Sequence, residues 1–312
     1  MKNIKLECWW TDSYSLNQRF RNQFLNDFNH DGFNLVTENP DFTIIFGKTD
    51  WTKIQTPKER TFFFTQEPLW SPNENRDILH KYCSKVFIAD KRMYPNSPEY
   101  IEGMVPMFYG GSGENDNRNE FSWNIDIIDR SFEKSKNISY IVRKDYSSHY
   151  DNLEVPNIFK INNKKRTDLG IDLCEYDFVD IYGLFWEPNG KNIIGEIWNK
   201  HVALNNYKFS ICSENCIQKN YLSEKFWDVI LTDTVPIYLG CENIKDYIPE
   251  ECFLYLNNKS ISEMVDFISE INKNADSLYE KYKKPIKDLK NEFLTNYKYN
   301  LWEKIKKEIN EN

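Results

Sequence analysis

Residues 207–240 read YKFSICSENCIQKNYLSEKFWDVILTDTVPIYLG. The apolar runs Lys208–Ser213 and Val235–Tyr238 predict two buried strands. The segment between them predicts a helix that begins near Asn220–Tyr221, with Asn220 as its N-cap, and ends at about Leu231. A strand, a crossover helix and a second strand are the unit from which parallel sheets are built, so we expect an α/β fold here.

The same alternation of short apolar runs and helical patterns extends outward on both sides. Further strands are predicted at Ile4–Trp9, Thr43–Phe46, Thr61–Thr65, Lys85–Ala89, Ile138–Val142, Phe178–Tyr182 and Phe253–Leu256. Between the first two of these, Phe20, Phe24 and Phe28 predict the buried face of a helix. We therefore predict two Rossmann-like domains facing a cleft, with the ligand at the carboxyl ends of their strands.

The domain boundaries follow from composition. Residues 110–117 read GGSGENDN and predict a flexible junction. We place an N-terminal domain at 1–115, a second domain at 116–290 and a C-terminal helical tail at 291–312. The helical pattern begins at about Ile261, and Pro285 is interpreted as a break or a first-turn residue.

Composition excludes several classes of protein. The 312 residues are 40% hydrophobic and 16% aromatic, which excludes a disordered polymer. Lys and Arg number 40 against 48 Asp and Glu, giving a net charge of −8. A nucleic-acid binder needs a basic surface, so we expect no nucleic-acid partner.

Cysteine usage and the N-terminal sequence predict a cytoplasmic protein. The seven cysteines are odd in number and scattered, which is typical of free thiols in a reducing compartment. The charged start Met1–Cys8 does not resemble a signal peptide, and no run reaches the ~20 apolar residues of a membrane span.

The C-terminal helices are rich in lysine. The lysines at 281, 283, 284, 287, 290, 304, 306 and 307, with Leu301 and Trp302 nearby, predict either a basic amphipathic surface drawn to anionic lipid or an ordinary solvated helix face. On the first reading the protein makes peripheral contact with the inner membrane surface.

The segment that begins at Tyr207 also contains the candidate ligand-binding residues. A strand ends in Ser213-Glu214-Asn215 and a helix begins soon after it, with Lys225 in its first turns. Free N–H groups, the helix dipole and a lysine together suit a phosphate. The alternative is a capped surface helix without a ligand.

The complete string resembles the donor-binding signature of the α-1,3-fucosyltransferases, glycosyltransferase family ten. The matching segments, in order, are Tyr207-Lys208-Phe209, Ser213-Glu214-Asn215-Cys216, Tyr221-Leu222-Ser223-Glu224-Lys225 and Asp233-Thr234-Val235-Pro236-Ile237-Tyr238-Leu239-Gly240. Ser213 stands where an aromatic residue is usual, Cys216 where serine is usual, and Leu222-Ser223 replaces Val-Thr. None of these departures removes a charged group.

The resemblance implies a GT-B fold and a role for each matching residue. Lys225 and Arg166 would bind the donor diphosphate, although Arg166 could also be a surface residue and Arg143 competes for its role. The other donor-binding residues would be Glu224, Tyr221, Asn215 and Glu214. In the first domain, Glu67 follows the apolar strand Thr61–Thr65 and resembles the family's general base, with a turn carboxylate as the alternative.

The implied reaction is transfer of fucose from GDP-fucose to an acceptor hydroxyl with inversion, and the acceptor would be an oligosaccharide containing N-acetylglucosamine in an α-1,3 linkage. The resemblance implies no cofactor and no metal, since protein cations replace the ion, and no Asp-x-Asp motif or second ligand pair marks a metal site. Two alternatives stay open: an enzyme of the same fold with another nucleotide sugar, and a non-catalytic carbohydrate-binding protein.

Overall fold

The structure is a computed structural model, and it describes residues 1–8, 32–47, 49–65, 67–68, 76–105, 133–145, 158–197, 200–295 and 301–311. The predicted helix with Phe20, Phe24 and Phe28 and the predicted junction at 110–117 lie outside the described residues. The chain forms two compact units: unit 1 comprises 1–108 and 296–312, and unit 2 comprises 109–295.

Unit 1 is built on a six-stranded sheet in the order β2-β1-β3-β4-β5-β6, and every pair is parallel. Its strands are β1 (Lys2–Cys8), β2 (Phe33–Leu35), β3 (Phe42–Phe46), β4 (Thr61–Phe64), β5 (Lys85–Ile88) and β6 (Tyr100–Glu102). The central strands β3 and β4 are buried throughout, as expected for parallel strands covered on both faces. A short helix, α1 (Leu79–Tyr82), precedes β5.

Unit 2 repeats this architecture with the strand order β10-β9-β7-β11-β13-β14, again all parallel. Its strands are β7 (Lys136–Ile141), β9 (Val179–Tyr182), β10 (Ile193–Gly195), β11 (Tyr207–Ser213), β13 (Val235–Leu239) and β14 (Leu254–Tyr255). A separate antiparallel pair joins β8 (Phe159–Ile161) to β12 (Cys216–Gln218).

Five longer helices accompany these sheets in the described part of the chain. They are α2 (Asn163–Leu173), α3 (Glu224–Leu231), α4 (Ile261–Lys273), α5 (Ala275–Thr295) and α6 (Leu301–Asn310). None of the described helices has the length and apolarity that a membrane crossing requires.

The structure divides the residues of the predicted tail at 291–312 between the two units. Residues 291–295 end helix α5 in unit 2, whereas α6 is part of unit 1. The apolar side of α6 is buried in the core of unit 1, where the Trp302 ring meets Phe33 edge-on at a centroid distance of 5.2 Å. Because burial of apolar surface drives this packing, the apolar stripe of α6 is not exposed for contact with lipid.

Pro285 does not break the C-terminal helix as predicted; it lies inside α5. A proline removes one backbone hydrogen bond within a helix. Ile286, Leu289 and Phe293 on the following turns are buried, and Phe293 stacks on Trp227 at 4.1 Å. We attribute the continuation of the helix to this packing.

Candidate functional site

A cavity of about 260 Å³ lies in unit 2 at the carboxyl ends of β7, β9 and β11. The charged side chains on its wall are four cations and two carboxylates: Arg143, Arg166, Lys200, Lys225, Glu224 and Asp228. The excess of cations makes the wall suited to an anion. The cavity also occupies the part of a parallel α/β sheet where ligands bind.

The helix that borders the cavity starts later than the sequence predicts. Its N-cap is Ser223, whose Oγ accepts the Lys225 N–H at 3.3 Å. Asn220 has a positive φ of 59° and its N–H donates to Asn243 Oδ1 at 2.7 Å, so it belongs to the preceding turn. The predicted N-cap at Asn220 is therefore wrong.

Glu214 is fully buried beneath the start of α3 and does not line the cavity. It accepts the Ser223 N–H at 2.8 Å and the Ser223 O–H at 2.6 Å. Gly240 leaves room for it, since a Cβ there would lie 2.4 Å from Glu214 Cγ. Burial raises the pKa of Glu214, and Lys225 acts in the opposite direction.

Lys225 is surrounded by acceptors. Its Nζ donates to Ser223 Oγ and to Glu224 Oε1, both at 3.1 Å, and lies 3.5 Å from Glu214 Oε2. Burial acts to lower the pKa of Lys225, but Glu224 and Glu214 outweigh it and raise the pKa above its ordinary value. Lys225 is therefore a permanent cation at neutral pH. The backbone N–H groups of Ser223 and Lys225 are already bonded to Glu214 and to Ser223 Oγ, so neither is free to bind a phosphate.

Lys200 is a cavity cation that the sequence analysis did not identify. It lies on the 3₁₀ turn Lys200–Ala203, and its Nζ donates to Asp228 Oδ2 at 2.5 Å and lies 3.9 Å from Glu224 Oε1. Burial acts to raise the pKa of Glu224, but Lys225 and Lys200 outweigh it and lower that pKa to about 2. Glu224 is therefore an acceptor held between two lysines.

Arg166 enters the cavity from α2. Its Nη1 donates to the Ser213 carbonyl at 3.4 Å, and its own carbonyl accepts the Tyr140 hydroxyl at 2.9 Å. Its buried Nε has no hydrogen-bond partner within the described part of the chain. Burial lowers the pKa of Arg166, but from an ordinary value high enough that the guanidinium stays charged.

Two further predicted residues pack beside the site without lining the cavity. Tyr221 is buried, and its hydroxyl donates to Asn215 Oδ1 at 3.1 Å. The Asn215 carbonyl accepts the Asn162 N–H at 2.9 Å, which ties the loop after β11 to the start of α2. The structure thus places Arg166, Lys225 and Glu224 on the cavity wall, and Glu214, Tyr221 and Asn215 around it.

Glu67 lies in unit 1, three residues after the end of β4, and is half-buried. Its carbonyl accepts from Thr65 Oγ1 and from Arg76 Nη2, each at 3.2 Å. Arg76 also donates to the Pro68 carbonyl at 2.9 Å. The backbone that carries the Glu67 side chain is thus fixed at the carboxyl end of a central strand.

Neither metal ligation nor a disulfide is seen in the described residues. No group of three or more His, Cys, Asp or Glu side chains there could hold a metal ion. All seven cysteines are free. Cys212, on the cavity wall, is buried, and burial raises its pKa, which makes it a poor nucleophile.

The region that carries this cavity matches a known family. Residues 153–306 match the model described as glycosyltransferase family 10 (fucosyltransferase) C-term. The chain carries a family 10 glycosyltransferase domain. This confirms the resemblance inferred from the sequence. The family 10 domain contains all of the described cavity wall except the residues contributed by the end of β7, Arg143 among them.

Curated and solved proteins are similar to this chain over different extents. A mouse 4-galactosyl-N-acetylglucosaminide 3-alpha-L-fucosyltransferase 9 is 35% identical over 97 residues, which span 30% of this chain and only 25% of that relative. A crystal structure of an alpha1,3-fucosyltransferase with GDP-fucose has a TM-score of 0.53 and 18% identity, and the similarity covers 90% of this chain and 81% of that one. An alpha-glucosyltransferase in complex with UDP has a TM-score of 0.56 and 10% identity over 99% of this chain and 100% of its own. The predicted GT-B fold class is confirmed.

Proposed function

We propose that this protein is an inverting α-1,3-fucosyltransferase that transfers fucose from GDP-fucose to a hydroxyl of an acceptor glycan. The observation that carries the proposal is the cavity wall of unit 2, where Lys225 and Arg166 stand at the end of β11 inside the family 10 domain. The partly identical curated relatives and the GDP-fucose complex of a similar fold support the choice of donor.

The chemistry explains why the wall needs cations. When the bond from fucose to the diphosphate breaks, the sugar becomes oxocarbenium-like and the leaving diphosphate gains negative charge. Fixed positive groups stabilise that transition state more than the ground state, and this difference accelerates the reaction. Lys225 provides a point charge. Arg166 provides a planar fork whose Nε has no hydrogen-bond partner in the described structure and could donate to a phosphate oxygen.

Glu67 is proposed as the general base that takes the proton from the attacking acceptor hydroxyl. Its position at the carboxyl end of β4 supports this role. A positioned base contributes typically about 10²–10⁴-fold to the rate. The acceptor is proposed to contain N-acetylglucosamine, because the curated relatives are named as N-acetylglucosaminide fucosyltransferases.

Metal independence is part of the proposal, because protein cations occupy the cavity in which an ion would otherwise neutralise the diphosphate. The test is release of GDP from GDP-fucose by the purified protein with EDTA present. Undiminished release supports the proposal, and complete dependence on added Mg²⁺ or Mn²⁺ would contradict it.

Another nucleotide sugar is the second candidate donor, favoured by the fold similarity to a glucosyltransferase bound to UDP. UDP-glucose and GDP-fucose in the same hydrolysis assay separate the two. Binding of an oligosaccharide without hydrolysis of either donor would instead indicate a non-catalytic carbohydrate-binding protein.

Cytoplasmic localisation with peripheral contact at the inner membrane surface stays a prediction. Because the apolar stripe of α6 is buried, such contact would rest on the exposed α5 lysines at 281, 283, 284 and 287. Sedimentation with phosphatidylglycerol vesicles, compared with phosphatidylcholine vesicles, tests this contact.

A further inference from the structure

The turn after β9 displays an exposed aromatic ring. Phe185 is 63% exposed, although Trp186 beside it is buried. Phe185 also has a φ of 65°, in the left-handed region where a bulky residue is a genuine outlier. Strain of this kind persists only where the surroundings enforce it, and it concentrates at ligand sites.

Two hydrogen bonds and one close backbone contact hold the turn in place. The Leu184 carbonyl accepts the Lys144 N–H at 3.0 Å, and Trp186 Nε1 donates to the Val142 carbonyl at 2.8 Å. Gly183 packs so tightly on the end of β7 that a Cβ would lie 2.1 Å from the Val142 carbonyl oxygen. The Phe185 ring is thus presented by a rigid support.

This turn is part of the cavity rim. Gly183 and Leu184 line the cavity, as does Arg143, whose guanidinium carbon lies 5.0 Å from the centroid of the Phe185 ring. Strand β9 is two positions from β11 in the sheet, a separation of about 10 Å. Phe185 itself is not on the cavity wall, but it adjoins the rim on the β9 side through Leu184 and Arg143, whereas Lys225 lines the wall on the β11 side.

We infer that Phe185 is the stacking platform for the base of the nucleoside diphosphate, an inference that rests on the proposed function. The cation-rich end of the cavity takes the diphosphate, and the aromatic end takes the flat, apolar face of the base. Arg143 braces the ring from one side through a cation–π contact. Stacking of this kind accepts any base, so the platform sets nucleotide affinity rather than the choice of base.

Isothermal titration of GDP and of inorganic pyrophosphate into the wild type and Phe185→Ala tests the platform. GDP affinity is expected to fall about 5- to 150-fold, the range for loss of one base–aromatic stack, while pyrophosphate affinity is unchanged. Phe185→Trp should retain GDP binding. Tyr176→Ala removes another exposed aromatic of unit 2, which precedes β9 at the opposite end of the strand from the cavity, and should bind like the wild type.

Phe185→Gly distinguishes a loss of GDP affinity from a loss of folding stability. Glycine adopts a positive φ without strain, so this variant should resist urea at least as well as Phe185→Ala and still bind GDP weakly. Equal GDP affinity in wild type and Phe185→Ala overturns the platform alone, as does an equal loss of pyrophosphate affinity. If the wild type binds neither GDP nor UDP, the proposed function fails together with the platform.

Discussion

The two units share one architecture, six parallel strands each, but the ends of their strands differ. In unit 2 the carboxyl ends of β7, β9 and β11 surround a cavity with four cations. In unit 1 the turn after β4 carries Glu67, with its backbone fixed by Thr65 and Arg76. The same kind of sheet thus carries a cation-lined cavity in one unit and a candidate base in the other, so the two units differ in the residues beyond their strand ends and not in their fold.

Glu67→Gln is the sharpest test of whether the two units have separate roles. If unit 1 supplies only the base, fucose transfer should fall by about 10²–10⁴-fold while the affinity for GDP is unchanged. Transfer is measured as GDP released in the presence of acceptor, and affinity by calorimetry. Glu99→Gln, which alters another carboxylate of unit 1, paired with Lys58, is the control and should stay near wild-type activity. Loss of GDP binding in Glu67→Gln would contradict this separation of roles between the units.

Lys225→Ala tests the cation-lined cavity of unit 2. Removal of a preorganised charge from the leaving group should lower donor turnover by about 10²–10³-fold and also weaken GDP binding. Steady-state kinetics with GDP-fucose measure both effects. Lys245→Ala removes an exposed lysine of the same unit and should have no effect. A Lys225→Ala enzyme with normal turnover would show that the cavity is not the donor site.

Two serine caps in unit 2 allow a matched test of burial. Glu214 accepts the N–H and O–H of Ser223 in the core, and Glu263 accepts the same two groups of Ser260 at the surface. Glu214→Ala should lower the free energy of unfolding by about 1–3 kcal/mol, because it leaves buried donors without partners. Glu263→Ala should cost less, since water replaces the lost acceptor. Urea denaturation measures the free energy of unfolding of both variants. Equal losses would show that the buried hydrogen bonds of Glu214 stabilise the protein no more than the exposed ones of Glu263.

The smallest expected effect is a change in acid stability. The pKa of Glu224 is about 2 in the folded protein, below the ordinary value of 4.5. Its ionised form therefore stabilises the fold above pH 4.5, and this contribution is lost as the pH falls from 4.5 towards 2. Glu224→Gln should show a shallower decline in stability between about pH 5 and about pH 3 than the wild type. If the stability of the two proteins declines equally, Lys200 and Lys225 do not lower the pKa of Glu224.

Much of the fold was predictable because buried parallel strands are continuous apolar runs. Each predicted strand overlaps an observed one, although β14 is shorter than predicted. The edge strands β2, β6 and β10, and the pair β8 and β12, have three residues each, too few for a pattern to emerge. The start of α3 was misplaced because Asn220 and Ser223 are both good caps by type, and a tertiary contact with Glu214 selects Ser223.

Two kinds of signal predicted the residues of the candidate site: neighbouring residues around one helix start, and the family resemblance, which alone pointed to Arg166. Lys225 and Glu224 follow directly from the helix start after β11, and both line the cavity. Lys200 carries no local signal, because its partner Asp228 is 28 positions away. The burial of Glu214 depends on the absence of a side chain at Gly240, a contact between segments that spacing does not reveal.

The placement of α6 also bears on how the protein is made. Leu301, Trp302, Ile305 and Ile309 complete the core of unit 1, and Lys85 meets Glu308 across 223 positions of sequence. A ribosome therefore finishes the N-terminal sheet long before it delivers the helix that closes it. Until then, Phe33 lacks its contact with Trp302, so the core of unit 1 reaches its final packing only after the last turn of α6 is made.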